Sequence, residues 1–305
     1  LKLERIISFA NAAVRLQFLA MERSLRATGC HLPISVIPYD EKRFPLPEHA
    51  DWLEDEALFA HIQKVGAMPL TRKYLALTVP HSAYFDADIV HLRNPEQWLE
   101  PLPDGLFVVA DTEWQKARWT FTEQTRTLYE AQTTLWLLDN FNSGFFAQAV
   151  PRIALQDVHA LLDDPHHQNL IHGKVPSTGE QEGANLLVHN SRMEVRNLCL
   201  PPHRMESTMA CDYPDGFASI FRKANAPAFV HYAGPGKNLE APIAQLIFEH
   251  LTAAEAAQMR KEFEMRRQCG QHLGHWPMWV RLIRRLVPWL DPRFRVQWKD
   301  PIDAV

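Results

Sequence analysis

Cysteine is scarce and unpatterned: Cys30, Cys199, Cys211 and Cys269 are the only four in 305 residues, and none forms a CxxC pair. That scatter argues against a structural zinc site or a disulfide-built fold, and it suits a reducing compartment. No run of 18 apolar residues occurs, so no segment reads as a membrane-spanning helix. The start lacks the basic-then-apolar layout of a signal peptide, while Leu1 in place of methionine leaves room for an upstream segment. Positive charge is not in excess either; a formal net charge of -4 gives no global field for nucleic acid. Repeats and low-complexity linkers are missing as well. What is present is 46% hydrophobic and 22% charged residues, the composition of a soluble globular chain long enough for one large domain or two smaller ones.

Apolar patterning gives an alternating strand–helix order. Ile6–Ala10 predicts a first strand, residues 13–26 a helix with Leu16, Leu19, Ala20 and Leu25 inward, and Pro33–Tyr39 a second strand. This opening favours an α/β sheet over a helical bundle. Helices are expected over 51–62, 70–77, 120–139, 153–162 and 185–189, with further strands at 82–86, 106–110, 144–147 and 229–231. Residues 173–184 read as a loop. The economical division is a catalytic-size domain over 1–245 and a helical tail over 246–305.

The densest chemical signal is Ser-Ala-Tyr-Phe-Asp-Ala-Asp-Ile-Val over 82–90. An apolar strand ends on Asp86 and Asp88, which at i and i+2 share one face of a regular strand. Two close carboxylates repel unless a cation lies between them, and hard oxygen ligands suit Mg²⁺ or Mn²⁺. A solvated turn after a core strand is the plainer alternative for this run on its own.

Four segments taken in order give the chain a specific resemblance. Phe85-Asp86-Ala87-Asp88-Ile89, Asn142-Ser143-Gly144-Phe145, Glu180-Gln181-Glu182-Gly183-Ala184-Asn185 and His231-Tyr232-Ala233-Gly234-Pro235-Gly236-Lys237 resemble the motifs of glycosyltransferase family 8, the galactosyl/glucosyltransferase and glycogenin-like group. The resemblance covers residues 6 to about 240 and implies an A-type glycosyltransferase fold, with a Rossmann-like mixed central sheet flanked by helices. It implies a metal-dependent retaining enzyme moving a hexose from a UDP-sugar to an acceptor hydroxyl. Asp86, Asp88 and His231 would be the metal ligands; imidazole beside two carboxylates suits Mn²⁺ better than Ca²⁺, and Mg²⁺ is the alternative cofactor. Glycines such as Gly234 let backbone approach phosphate, and Lys237 is a mobile point charge for the same oxygens.

By the same resemblance Gln181 lies nearest the anomeric carbon, with Glu182 and Asp111 as further candidates around the reacting sugar. Glu180 and Glu182 stand where the family has aspartates, so their carboxylates reach one methylene further. Ser8 and Asn11, at the end of the first strand, fall where the family touches uracil and ribose; Asn142 falls over the sugar. Lys73 replaces an arginine of the family's helix and gives up that side chain's bidentate fork; Arg72 is its rival. The acceptor is a sugar, a glycolipid or another hydroxyl compound.

Residues 277–299 fit a basic amphipathic segment, with Trp279, Leu282, Ile283 and Leu286 opposing Arg281, Arg284 and Arg285. That layout fits either a packed tail or contact with an anionic membrane surface, so the expected location is cytoplasmic, either free or peripheral on the cytoplasmic face of a membrane. Two other classes stay in view. Asp86-Ala87-Asp88 also resembles the nucleophile motif of haloacid-dehalogenase-type phosphatases, with Asp163-Asp164 as the downstream acidic pair. The substitutions at 73, 180 and 182 would also suit a non-catalytic nucleotide-sugar-binding protein of the same fold.

Overall fold

The computed structural model describes residues 1–112, 127, 130–131, 140–164, 179–216, 218, 220, 224–233 and 239–274. The chain divides into two units, Leu1–Thr252 and Ala253–Val305. The first begins with β1 (Arg5–Ala10), whose residues from Ile6 onward are all buried. Such an unbroken apolar run is what a strand covered on both faces requires. A 3-10 turn follows, then α1 (Arg15–Ala27) and β2 (Ile34–Pro38), which lies parallel to β1 with Ile6 opposite Ile34.

The segment after β2 departs from the expected helix over 51–62. Residues Ala50–Trp52 form β3, a parallel edge strand on β2. Helix α2 starts only at Glu56, because the Asp55 carboxylate accepts the Leu58 N–H at 2.8 Å and caps it. The helix expected over 70–77 is a run of 3-10 turns, Pro69–Thr78. It leads into β4 (Ser82–Phe85), which pairs parallel to β1 on the side away from β2.

After β4 come the short β5 (Ile89–His91), α3 (Pro95–Leu99) and β6 (Leu106–Val109). Next are β7 (Phe145–Gln148), α4 (Leu155–Asp163), α5 (Gly179–Asn190), β8 (Glu194–Asn197), β9 (Phe229–His231) and α6 (Gln245–Phe248). The central sheet has the order β3-β2-β1-β4-β7-β6-β8. It is mixed: β7 runs antiparallel to both β4 and β6. Alternate residues feed two apolar layers, Ile7 and Tyr84 packing on one face and Ile6 and Phe85 on the other. Helices flank the sheet, the arrangement of an A-type glycosyltransferase fold.

The sequence did not signal β5 and β8, and α5 begins earlier than residue 185. Most of the helix expected over 120–139 lies outside the described residues, as do 277–299 and the glycine-lysine loop with Gly234 and Lys237. The second unit contains α7 (Ala253–Gly274). Among the described residues, no helix is long and apolar enough to cross a membrane.

Chain direction locates the site. From β1 the chain crosses through α1 to β2 on one side, and β4 lies on the other, so the strand order reverses between β1 and β4. In open α/β sheets a crevice opens outside the carboxyl ends of strands at such a reversal. Asn11 follows β1 there and Asp86 follows β4.

Candidate metal centre

Asp86 directly follows β4, and its backbone N–H is held by the Gly144 carbonyl at 2.8 Å. A tight turn follows, closed by Ile89 N–H on the Asp86 carbonyl at 3.2 Å, so Asp88 doubles back towards Asp86. β5 then pairs antiparallel with β9, setting Ile89 opposite His231. The His231 N–H donates to Thr208 O at 2.7 Å, and Tyr232 N–H donates to Asp88 O at 3.0 Å. Backbone pairing alone therefore brings a histidine from late in the chain to the aspartate turn.

One ligand atom from each of Asp86, Asp88 and His231 lies within 4.8 Å of the others. His231 Nε2 is 3.2 Å from Asp88 Oδ1 and 3.6 Å from Asp86 Oδ2. His231 is 4% exposed, and its buried Nε2 has no hydrogen-bond partner among the described residues. Burial pulls the imidazole downward, but pairing with Asp88 and the field of Asp86 outweigh it, with Lys73 opposing, so its pKa is raised above the ordinary value. A buried, unbonded ring nitrogen facing two carboxylates is a donor set that fits a divalent cation taking mixed N/O ligands.

Lys73 is the second organising charge. The residue is 4% exposed, and its ammonium lies 2.7 Å from Glu180 Oε1, 3.1 Å from Asp86 Oδ1 and 3.4 Å from Ser143 Oγ. Desolvation opposes its charge, yet the two carboxylates more than restore it and hold its pKa above the usual lysine range. The lysine thus bridges the aspartate turn to the start of α5. Tyr84, two residues before Asp86 and fully buried, donates its hydroxyl to Asp86 Oδ1. Burial first, and Asp86 second, push the phenol well above its ordinary pKa, which keeps it a donor.

Ser143 ties the remaining pieces together. Its hydroxyl donates to Glu180 Oε1 at 2.6 Å, and its backbone N–H reaches Gln181 Oε1 at 3.3 Å. Asn142 N–H donates to Asp111 Oδ2 at 2.6 Å, while Asn142 Oδ1 accepts Gly144 N–H at 2.8 Å. Asp111 is in turn fixed through its backbone by both side-chain atoms of Asn197. Asn185 pins the Phe141 backbone to α5, accepting its N–H at 2.9 Å and donating to its carbonyl at 2.8 Å.

The structure therefore brings together Asp86, Asp88, His231, Lys73 and Gln181, and it ties Asn142 to Asp111. Glu182 follows Gln181 on α5. Successive helix positions turn by about 100°, and Glu182 is 1% exposed on the inner side of α5, where its charge raises the Tyr74 phenol after burial and Glu180. Asn11 spends its side chain on structure: Oδ1 caps the following turn through Ala13 N–H, and Nδ2 donates to Asp40. Ser8 lies within β1 with its hydroxyl buried and without a hydrogen bond. Arg72, the rival to Lys73, points elsewhere, to Glu41 and the Pro38 carbonyl. Asp163, needed beside Asp86 by the phosphatase reading, instead pairs with His61 at 2.9 Å.

Tyr84 and Ser143, for which the sequence signalled no role of their own, join the cluster. The one sequence signal for Tyr84 is its i−2 spacing from Asp86, which puts both on one strand face.

No family model and no curated protein matches the sequence. Solved structures match the fold. The apo structure of WbbM, a bifunctional glycosyltransferase, aligns with a TM-score of 0.54 at 12% identity over 86% of this chain. The chain spans 51% of that protein, about half its length. The galactosyltransferase LgtC, solved with donor and acceptor sugar analogues, aligns with a TM-score of 0.51 at 12% identity, covering 85% of this chain and 99% of that one. Identity this low establishes the fold alone: the chain has the A-type glycosyltransferase fold.

Proposed function

We propose that the chain is a metal-dependent, retaining glycosyltransferase of the family 8 kind, which moves a hexose from a UDP-sugar to an acceptor hydroxyl. The observation that carries this reading is the Asp86, Asp88 and His231 cluster, seated where the strand order of an A-type fold reverses. These three residues would hold Mn²⁺ or Mg²⁺, which when bound offsets charge on the diphosphate leaving group.

The protein groups have separable tasks. Lys73 holds Asp86 and Glu180 in register and adds fixed positive charge beside the leaving group. Gln181, steadied by the Ser143 N–H, presents its amide towards the sugar carbon. An amide is no base near neutral pH, so the acceptor proton passes to an oxygen of the departing diphosphate. The acceptor oxygen bonds to the anomeric carbon on the face that the diphosphate leaves. Gly234 and Lys237 complete the phosphate contacts, and Asp111 and Asn142 line the sugar side. The 277–299 segment brings the enzyme to an anionic surface on the cytoplasmic side, which favours a lipid-linked acceptor.

The test is a panel of UDP-hexoses, with and without Mn²⁺, scored for donor hydrolysis and for transfer to sugar and glycolipid acceptors. Metal-dependent turnover of one donor with retained anomeric configuration supports the proposal. Donor binding without turnover across the panel would make the chain a binding protein of this fold instead.

A further inference from the structure

The two oxygens of Asp86 face different surroundings. Oδ2 looks to the cluster, 3.6 Å from His231 Nε2. Oδ1 is already engaged: it accepts the Tyr84 hydroxyl and lies 3.1 Å from Lys73 Nζ. Tyr84 cannot readily swing aside. Its ring is fully buried and stacked on Phe146, with centroids 4.8 Å apart and planes 12° from parallel, and Lys73 Nζ lies 5.2 Å from the ring centroid. A stacked ring in a packed core holds its hydroxyl to one place.

We propose that Tyr84 is a positioning residue that restricts Asp86 to ligation through Oδ2 alone, and so sets which cation the site takes. The inference rests on the reading of the cluster as a metal centre. Ca²⁺ collects six to eight oxygens and readily uses both oxygens of a carboxylate, whereas smaller cations accept six ligands at shorter range. A carboxylate with one oxygen occupied by two donors serves the smaller ion. Tyr84 therefore selects Mn²⁺ or Mg²⁺ against Ca²⁺ without touching the metal, in the way that partners behind a ligand fix its orientation.

The experiment uses the metals alone on the full chain. Mn²⁺ is titrated by electron paramagnetic resonance, and Ca²⁺ is measured by its displacement of Mn²⁺. Tyr84→Phe keeps the stacked ring and removes the hydroxyl. The expected result is that the preference for Mn²⁺ over Ca²⁺ narrows by about tenfold, with the melting temperature of the metal-free protein little changed. Phe146→Leu loosens the stack while leaving every polar atom in place, and it should narrow the preference in the same direction; it serves if Tyr84→Phe does not fold. A parent that binds Mn²⁺ and a folded variant with the same Mn²⁺/Ca²⁺ ratio would overturn the role of Tyr84 while leaving the metal centre standing. A parent that binds neither ion overturns the metal centre, and this inference with it.

Discussion

At Gly144 a single methyl group decides whether the cluster can close. A Cβ there would sit 2.1 Å from Cε1 and 2.8 Å from Nδ1 of His231, and 2.9 Å from Oδ1 of Asn142. Carbon atoms settle at about 3.5 Å, so the imidazole of a Gly144→Ala variant must retreat by roughly 1 Å or more. Neither backbone can absorb that shift. His231 is tied to Thr208 at 2.7 Å and paired with Ile89, while the Gly144 carbonyl holds the Asp86 N–H at 2.8 Å. Metal–ligand distances tolerate only about 0.2 Å. The ring should therefore cease to be a ligand, and Mn²⁺ affinity should fall by about 100-fold, close to 2.7 kcal/mol. Overpacking should add a loss of stability of about 1–3 kcal/mol. Gly105→Ala is the control, since a Cβ there meets nothing within 4 Å. Calorimetric Mn²⁺ titration of both variants, each first checked by circular dichroism, reads the difference. A folded Gly144→Ala protein with the parent's Mn²⁺ affinity would refute both the close approach and the role of His231.

The raised pKa of His231 makes opposite predictions with and without metal. In the metal-free protein its stabilising contribution is complete below the unfolded value near 6.5 and is lost as pH rises through the higher folded value, whereas bound metal requires the proton to leave. Melting curves at intervals from about pH 6 to pH 8 should show the Mn²⁺-induced rise in Tm growing with pH, and His231→Ala should flatten that growth. His91 behaves in the reverse sense: burial, helped by His250, lowers its pKa to about 3, so its contribution is complete above about 6.5 and drains away as pH falls. His91→Leu should accordingly give a shallower acid-unfolding profile. Gln181→Ala should lower kcat for sugar transfer far more than it weakens UDP binding, because UDP lacks the sugar carbon; equal kcat in the variant removes Gln181 from the reaction. The intact chain should sediment with anionic vesicles and release in high salt, while a chain ending before residue 277 should stay in solution; sedimentation of both would locate the contact elsewhere.

The sequence made some parts of this site legible and hid others for identifiable reasons. Asp86 and Asp88 could be read because an apolar strand that stops on two carboxylates is a local pattern. His231 needed the glycine-lysine run after it, since a lone histidine beside an apolar strand is usually structural. Its docking onto Ile89 depends on β5, three residues long and too short to announce itself. Tyr84 looked like any core aromatic until the fold placed its hydroxyl on Asp86. Lys73 could be read as a donor-side cation from the family's helix, but the sharing of its ammonium between Asp86 and Glu180 joins residues far apart in sequence and had no local signal. For Glu182 the family spacing gives a position along α5, and the fold adds that the residue there is buried. The segment at 51–62 misled because Asp51 and Trp52 continue the sheet edge before Asp55 can start a helix.

The pairing of β5 with β9 also bears on how the protein matures. Asp86 and Asp88 are synthesised early, and every strand from β1 to β4 can pair before the rest of the chain exists. The imidazole arrives only when Phe229–His231 zips against Ile89–His91, a long-range closure that carries a large loop entropy. A nascent or truncated chain lacking β9 would present Asp86 and Asp88 without the imidazole, able to attract a cation but not to retain it. On the proposed reading, metal capture would follow the docking of β9, and a cation bound across the ribbon would in return hold β9 down. Under gentle denaturation this two-stranded ribbon should be the first part of the site to open without metal, and among the later parts to open with it.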